Sequence, residues 1–353
     1  MARNYKQLVE KTRARINPDN VQIQKSFSDE LSTISYSDVL TYIRYAMKGV
    51  EPAYTQKSTE AGERVKEHLS KALRDVTFKY QGSVMTNTHI KGHSDIDLLT
   101  ICEKFYSYDS SNIKELLNNA LRKSAYLQSS IEKLQNEVNA SPYFGDSLSD
   151  LKKMRSDSEI KLSSVYSICD CRPPKAIKIT NLDLKRDVDI VIANWYDDIT
   201  SVVNDKGDYR GIQIYNKEAN KKENPDYPFV SIRRINERGL FTNGRLKKMI
   251  RFLKNTKVNS DHEIDLCSFD INAICYNIDP VKYLYLSNFD LVQVLYTQLK
   301  SICTNQELSD KITSVDGREH IFKYNSGKLL QVKSLLTEVE AVYYDLAHQN
   351  VLA

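Results

Sequence analysis

The spacing of hydrophobic residues changes along the chain and predicts a mixed α/β front half followed by a helical back half. Residues 35–50 ("SYSDVLTYIRYAMKGV") place Val39, Leu40, Ile43 and Met47 at helical intervals, and residues 58–75 ("STEAGERVKEHLSKALRD") carry a second helical stripe. Residues 76–82 ("VTFKYQG") then alternate in the manner of a strand. The sequence therefore predicts that helices precede the first strand of a sheet.

Two further apolar runs extend the predicted sheet. Residues 94–102 ("SDIDLLTIC") read as a strand, and residues 175–195 ("KAIKITNLDLKRDVDIVIANW") read as two strands joined by a short turn near Asn181. The intervening residues 110–165 return to polar, helix-like sequence. This order predicts a mixed sheet with flanking helices.

Beyond the sheet, every apolar segment has helical spacing. The segments are "GRLKKMIRFLKNTK", "SFDINAICYNI", "FDLVQVLYTQLKSIC" and "GKLLQVKSLLTEVEAVYYDLAHQNVLA". The polar stretch 215–229 ("YNKEANKKENPDYPF") is predicted to be an exposed loop near the join of two domains. We place these domains at residues 1–205 and 206–353.

Composition narrows the class of protein. A net charge of +4, from 50 basic and 46 acidic residues, is too balanced to predict obligatory binding to DNA or RNA. No apolar run is long enough to span a membrane, and the N-terminus has no apolar core that would mark a secretory signal. Six cysteines without a CxxC pair are typical of free thiols in a reducing cytoplasm, although Cys169 and Cys171 have a spacing that permits metal binding. We expect a cytoplasmic protein with no membrane partner.

Paired aspartates are the strongest chemical signal. Asp95 and Asp97 lie two apart on a predicted strand and therefore share one face, as do Asp187 and Asp189 on a later strand. Carboxylates this close repel one another unless a cation lies between them, and oxygen-only ligands favour Mg²⁺ or Mn²⁺ over zinc. A third carboxylate beside Asp95 and Asp97 would allow two metal ions to bind.

Gly82 and Ser83 supply a second signal ahead of the first pair of aspartates. They lie where a predicted strand turns into a loop, a place where free backbone N–H groups bind phosphate. Glycine lets the backbone approach the phosphate closely, and the serine hydroxyl adds a donor.

Together these residues resemble a known signature. The stretch "GSVMTNTHIKGHSDIDL", residues 82–98, resembles the nucleotidyltransferase motif of the oligoadenylate synthase and cyclic GMP–AMP synthase superfamily, and it looks closest to the bacterial CD-NTases. "RDVDIVIA" is similar to their third-acid strand, and the resemblance covers roughly residues 58–280. It implies a DNA polymerase β-like nucleotidyltransferase core, a helical C-terminal domain and an active site in the cleft between the two lobes.

The resemblance also implies roles for individual residues. Asp95, Asp97 and Asp189 match the metal-binding and catalytic triad for two Mg²⁺ or Mn²⁺ ions, with Asp187 as the alternative third acid. Gly82 and Ser83 match the triphosphate loop.

Further nucleotide contacts are expected in the helical half. Lys247 and Arg251 are expected on the donor triphosphate, and Lys248 is expected to point outward from the same helix. Ser268 matches a Ser-aromatic pair with Phe269, which either stacks on a base or belongs to the core.

By this resemblance the chain joins nucleoside triphosphates into a cyclic oligonucleotide second messenger for anti-phage signalling and releases pyrophosphate. A downstream effector would bind the product. A linear product, nucleotidyl transfer to RNA or protein, and a catalytically inactive nucleotide-binding module remain as alternatives. The sequence lacks a His/Cys zinc insertion and an evident basic run, so we expect no DNA or RNA activator.

Overall fold

The computed structural model describes residues 3–16, 38–90 and 96–348. Its helices are α1 (Tyr5–Ile16), α2 (Asp38–Met47), α3 (Pro52–Ser70), α4 (Ser110–Asn118), α5 (Ala120–Lys123), α6 (Gln128–Asn139), α7 (Ser147–Val165), α8 (Ile199–Val203), α9 (Pro228–Phe241), α10 (Arg245–Asn259), α11 (Ser268–Tyr276), α12 (Asp290–Thr304), α13 (Gln306–Lys311) and α14 (Ser326–Ala347). Its strands are β1 (Val76–Gln81), β2 (Ile96–Tyr108), β3 (Ile168–Asp170), β4 (Ile177–Asn181), β5 (Arg186–Asp197), β6 (Gly211–Asn216) and β7 (Lys221–Lys222).

The strands form one mixed sheet with β5 at its centre. The order is β1-β2-β5-β4-β3, with β6 pairing to β5 and β7 pairing to β6. The pairing of β2 with β5 is parallel, and the other pairings are antiparallel. Along its edge away from β2, β5 pairs first with β4 and then with β6. The predicted mixed sheet with flanking helices is confirmed.

Two compact units account for the chain. One comprises Met1–Thr55, Ser83–Ser94 and Arg234–Ala353, and the other comprises Gln56–Gly82 and Asp95–Arg233. We call them the helical unit and the sheet unit. Because their segments alternate along the chain, the division into domains at residue 205 stays a prediction.

Hydrophobic burial holds each unit together separately. In the sheet unit, Leu99 and Ile101 of β2 pack with Val191, Ala193 and other apolar residues of β5 and β6. In the helical unit, apolar faces of α2, α10, α12 and α14 share one core. Burying each such side chain stabilises the folded state by roughly 1.5–3 kcal/mol, which is more than the helix or strand propensity of a single residue contributes.

Several elements depart from the sequence-based prediction. The helix expected from Ser58 begins at Pro52, and β2 continues six residues beyond the predicted end at Cys102. The short strands β3, β6 and β7 were missed, and β7 lies inside the stretch predicted to be a loop. β3 and β7 have only three and two residues, too few to show an alternating pattern, and pairing to a longer neighbour stabilises them. The six residues of β6 do not alternate strictly between buried and exposed positions. None of the helices described is long and apolar enough to cross a membrane.

Candidate active site

The sheet unit brings two of the predicted acids side by side. Asp97 on β2 is the register partner of Asp189 on β5, in the parallel pair at the centre of the sheet. Residues paired in this way project from the same face of the sheet. Asp95 lies outside the described residues. The structure therefore supplies two neighbouring carboxylates, and the place of Asp95 beside them stays a prediction.

Asp189 retains one oxygen that no described residue satisfies. Its Oδ2 lies 3.1 Å from Nζ of Lys178, and its side chain is only 16% exposed. Its Oδ1 is buried and, among the described residues, has no hydrogen-bond partner. Because a buried carboxylate oxygen without a partner is costly, this atom fits a site that takes a cation.

Asp187 differs from Asp189 although it lies on the same face of β5. Its side chain is exposed and accepts a 2.6 Å hydrogen bond from Oγ1 of Thr180. Its neighbour Val188 pairs with Ile96, which leaves Asp189 as the residue beside Asp97. This geometry favours Asp189 as the third acid.

Gly82 approaches the carboxylate of Asp97 so closely that a side chain would collide with it. Its φ is +89°, and a Cβ at this position would lie 2.6 Å from Oδ2 of Asp97. A residue with a side chain would meet both backbone strain and a steric clash. The need for glycine predicted from the motif thus has a specific physical cause. We call Gly82, Asp97 and Asp189 the carboxylate site.

Metal binding at this site fits the donors present. The carboxylate site offers only oxygen ligands, which hard divalent cations prefer. Within residues 3–16, 38–90 and 96–348, no group of three potential metal ligands comes together. The two described acids would therefore hold a metal ion together with further oxygen donors, such as those of the substrate.

The helical unit contains the loop that follows Gly82. The carbonyl of Ser83 accepts hydrogen bonds from the Thr88 N–H at 2.9 Å and from Oγ1 of Thr86 at 3.2 Å. The Asn87 N–H donates to the carbonyl of Val84 at 3.1 Å. We call residues 83–88 the phosphate loop, since these bonds close it into a compact turn.

Side chains of α9 and α10 hold this loop through its carbonyl oxygens. Asn236 donates to the carbonyl of Met85 at 3.2 Å, and Lys247 donates to Oδ1 of Asn236 at 2.7 Å. Lys247 thus reaches the phosphate loop through Asn236. Asn236 was not predicted, because no motif or pattern in the sequence marks it as a site residue.

Arg251 is buried and contacts two backbone carbonyls. Its side chain is 7% exposed, and it donates from Nε to the carbonyl of Met47 and from Nη1 to the carbonyl of Asn87. Burial lowers the pKa of Arg251 to about 10. Through these contacts Arg251 holds the phosphate loop, and its contact with triphosphate stays a prediction.

Lys254 is a second buried cation of α10, and no described carboxylate pairs with it. It is 6% exposed and donates to the carbonyl of Thr88 at 3.2 Å. Burial lowers its pKa to about 8. Lys254 also lines a cavity of about 160 Å³ together with Lys257 and Ser268. The lysines beside Ser268 are therefore Lys254 and Lys257.

The predicted contrast between Lys247 and Lys248 is weaker than expected. Lys248 is half-buried and donates to Oδ1 of Asn288 at 2.9 Å, so the expectation that it points outward is wrong. Burial lowers the pKa of both lysines. The apolar stripe predicted a one-sided helix, but α10 is enclosed by other elements and buries residues around most of its circumference.

Ser268 and Phe269 begin α11. Ser268 is exposed at the first position of the helix, and Phe269 is partly buried against the core of the helical unit. The packing supports a core role for Phe269, and base stacking stays a prediction.

Comparison with known proteins gives consistent matches along the chain. Residues 233–344 match the family model described as the cGAS/DncV-like nucleotidyltransferase C-terminal helical domain. A c-di-GMP synthase from Capnocytophaga granulosa is 54% identical, over 98% of this chain and 98% of the relative. A c-di-GMP synthase from the Lachnospiraceae bacterium strain RUG226 is 41% identical, over 97% of this chain and 99% of the relative.

Solved structures agree with these matches. The structure of a STING-associated CdnE c-di-GMP synthase from Flavobacteriaceae sp. has a TM-score of 0.89 and 41% identity, and the match covers 99% of this chain and 100% of that one. The corresponding structure from Capnocytophaga granulosa has a TM-score of 0.81 and 48% identity, and the match covers 98% of this chain and 100% of that one.

Proposed function

Because this chain belongs to the CD-NTase family of nucleotidyltransferases and is an enzyme that joins nucleoside triphosphates into a cyclic oligonucleotide, we propose that its product is cyclic di-GMP, made from two molecules of GTP. Three relatives that are 54%, 42% and 41% identical to this chain are c-di-GMP synthases. The observation that supports the catalytic part of the proposal is the register pairing of Asp97 with Asp189, with one buried oxygen of Asp189 left without a described partner.

The carboxylate site is assigned to metal binding and to the acceptor hydroxyl. Asp97 and Asp189, with Asp95, would hold Mg²⁺ or Mn²⁺, two ions per site by family analogy. When bound, these ions supply the positive charge that phosphoryl transfer requires. Asp189 takes the proton of the attacking ribose hydroxyl. The new bond forms to the α-phosphorus of the donor GTP, and pyrophosphate leaves.

The helical unit is assigned to the triphosphate. Ser83 and N–H groups of the phosphate loop other than those of Asn87 and Thr88, which bond within the loop, donate to phosphate oxygens. Arg251 and Asn236 keep the loop in shape. Lys254 and Ser268 line one cavity and are suited to bind an anion there, since Lys254 is a buried cation without a described carboxylate partner. Lys247 supports the loop through Asn236.

The product is proposed to act as an anti-phage signal in the cytoplasm. Two of the solved relatives are STING-associated c-di-GMP synthases. We therefore expect the effector to be a STING-type receptor that binds cyclic di-GMP.

A product assay tests the proposal. The purified protein is incubated with Mg²⁺ and with each of the four labelled nucleoside triphosphates, alone and in pairs, and the products are treated with phosphatase. We expect phosphatase-resistant label from GTP alone. A resistant product that requires a second nucleotide would contradict the assignment to cyclic di-GMP. Sensitive label would indicate a linear product, and absence of turnover would favour an inactive binding module.

A further inference from the structure

Lys178 is placed between two acids in one row across the sheet. On β4 it is the register partner of Asp189 on β5, and it is also the register partner of Asp170 on β3. Its ammonium lies 3.1 Å from Oδ2 of Asp189, and its side chain is 51% exposed. The alternation of β4 buries Ile177 and Ile179 on the other face.

The ammonium of Lys178 contacts one of the two carboxylate oxygens of Asp189 but does not contact the other. Oδ2 pairs with Lys178, whereas Oδ1 is buried and has no hydrogen-bond partner among the described residues. A carboxylate held at one oxygen has its orientation restricted, so the direction of Oδ1 is set before any cation arrives. The same ammonium partly neutralises the repulsion between Asp189 and its neighbour Asp97.

We propose that Lys178 is a positioning residue for Asp189 that keeps metal affinity low until a triphosphate is bound. The inference rests on the proposed assignment of Asp189 to metal binding. A divalent cation that binds Asp189 has to compete for this carboxylate with the ammonium of Lys178. Like charges this close weaken cation binding, and the negative charge of a nucleoside triphosphate offsets that repulsion. Metal and nucleotide therefore bind cooperatively, and Lys178 is the source of part of that coupling.

Asp170 gives Lys178 an alternative acid when the metal is bound. The pKa of Asp170 lies well below its usual range, chiefly because Arg172 donates to it, and the charge of Lys178 adds to the effect. Asp170 is therefore ionised at neutral pH, and its negative charge can attract the ammonium of Lys178. This second acid keeps the ammonium near the sheet after it leaves Oδ2 of Asp189.

Binding of Mn²⁺, followed by the electron paramagnetic resonance signal of the free ion, tests the inference without turnover. Measurements are made on the nucleotide-free protein and with a non-hydrolysable GTP analogue. In Lys178→Met we expect Mn²⁺ to bind about tenfold more tightly without nucleotide, a magnitude that corresponds to charge repulsion under water-like screening. The nucleotide should then increase Mn²⁺ affinity by a correspondingly smaller factor.

Two further variants serve as controls. Lys178→Arg retains the charge and should restore the wild-type affinities. Lys175→Met removes the same charge from a side chain that is 54% exposed and paired with Glu223, so it should leave Mn²⁺ binding unchanged. Equal Mn²⁺ affinity in Lys178→Met and wild type, or weaker binding in Lys178→Met, would overturn the inference.

Asp189→Asn separates failure of this inference from failure of the proposed function. If Asp189→Asn binds Mn²⁺ as tightly as wild type in the presence of nucleotide, the metal assignment is wrong and the inference falls with it. If Asp189→Asn loses binding while Lys178→Met behaves as wild type, the metal assignment stands and only the role of Lys178 is overturned.

Discussion

Lys254 provides a test of whether the helical unit contains a preformed anion site. Its pKa is lowered from 10.5 to about 8 by burial, and no described carboxylate compensates the charge. Since one pKa unit corresponds to about 1.4 kcal/mol, the charged form is roughly 3 kcal/mol less favourable in the folded protein than in the unfolded chain. Lys254→Met removes this cost but leaves the carbonyl of Thr88 without its donor, a loss of about 1–2 kcal/mol. We expect a net gain in stability of about 1–2 kcal/mol at pH 7.

The sign of the pH dependence follows from the direction of the pKa change. Below pH 8 both the folded and unfolded states carry the proton on Lys254, so the full cost of burial is present. Between about pH 8 and 10.5 the unfolded state binds more protons than the folded state, and the free energy of unfolding rises with pH. The stability advantage of Lys254→Met over wild type should therefore shrink across this window.

Urea unfolding of nucleotide-free wild type and Lys254→Met at pH 7 and pH 9.5 measures this difference. Isothermal titration with inorganic tripolyphosphate provides the functional half of the test. The variant should lose ten- to a hundredfold in affinity, because a charge-assisted contact contributes roughly 1.5–3 kcal/mol. Wild type should take up a proton on binding at pH 8.5, as seen from the buffer dependence of the heat. A variant that is destabilised equally at both pH values and binds tripolyphosphate normally would refute the description of Lys254 as an uncompensated cation.

Five other substitutions test the remaining assignments. Asp189→Asn should abolish product formation while the fold survives in circular dichroism. Asp187→Asn should remain at least tenfold more active, because the Asp187 side chain is exposed and bonds to the hydroxyl of Thr180; the reverse order of activities would make Asp187 the third acid. Gly82→Ala should lower the rate of product formation at least tenfold. The control Gly207→Ala has a φ of +50° and no atom within 4 Å of the added Cβ, so it should only lower stability by about 1 kcal/mol. Similar rates of product formation in the two variants would contradict the clash of a side chain at position 82 with Asp97. Arg251→Met should destabilise the protein by roughly 2–4 kcal/mol in urea unfolding, because two backbone carbonyls lose their donors. Unchanged stability together with weaker triphosphate binding would instead indicate that Arg251 contacts the triphosphate.

Sequence alone predicted the chemistry proposed for the carboxylate site and the type of the longer elements. The two-residue spacing of Asp187 and Asp189 places them on one face of any strand, because side chains alternate along a strand. The strong alternation or apolar character of the segments that form β1, β4 and β5 likewise required no tertiary information. The need for glycine at position 82 was also evident from the motif, although its cause was not.

Tertiary structure decided which of these residues act together. Only the parallel pairing of β2 with β5 shows that Asp189, and not Asp187, lies beside Asp97. The burial of Arg251 and Lys254 could not be predicted, because the sequence shows only the apolar side of α10, whereas burial depends on what packs against its other sides. Their partners, Met47, Asn87 and Thr88, lie far away in the sequence. Contacts of this kind arise from the packing of distant segments, and no local periodicity encodes them.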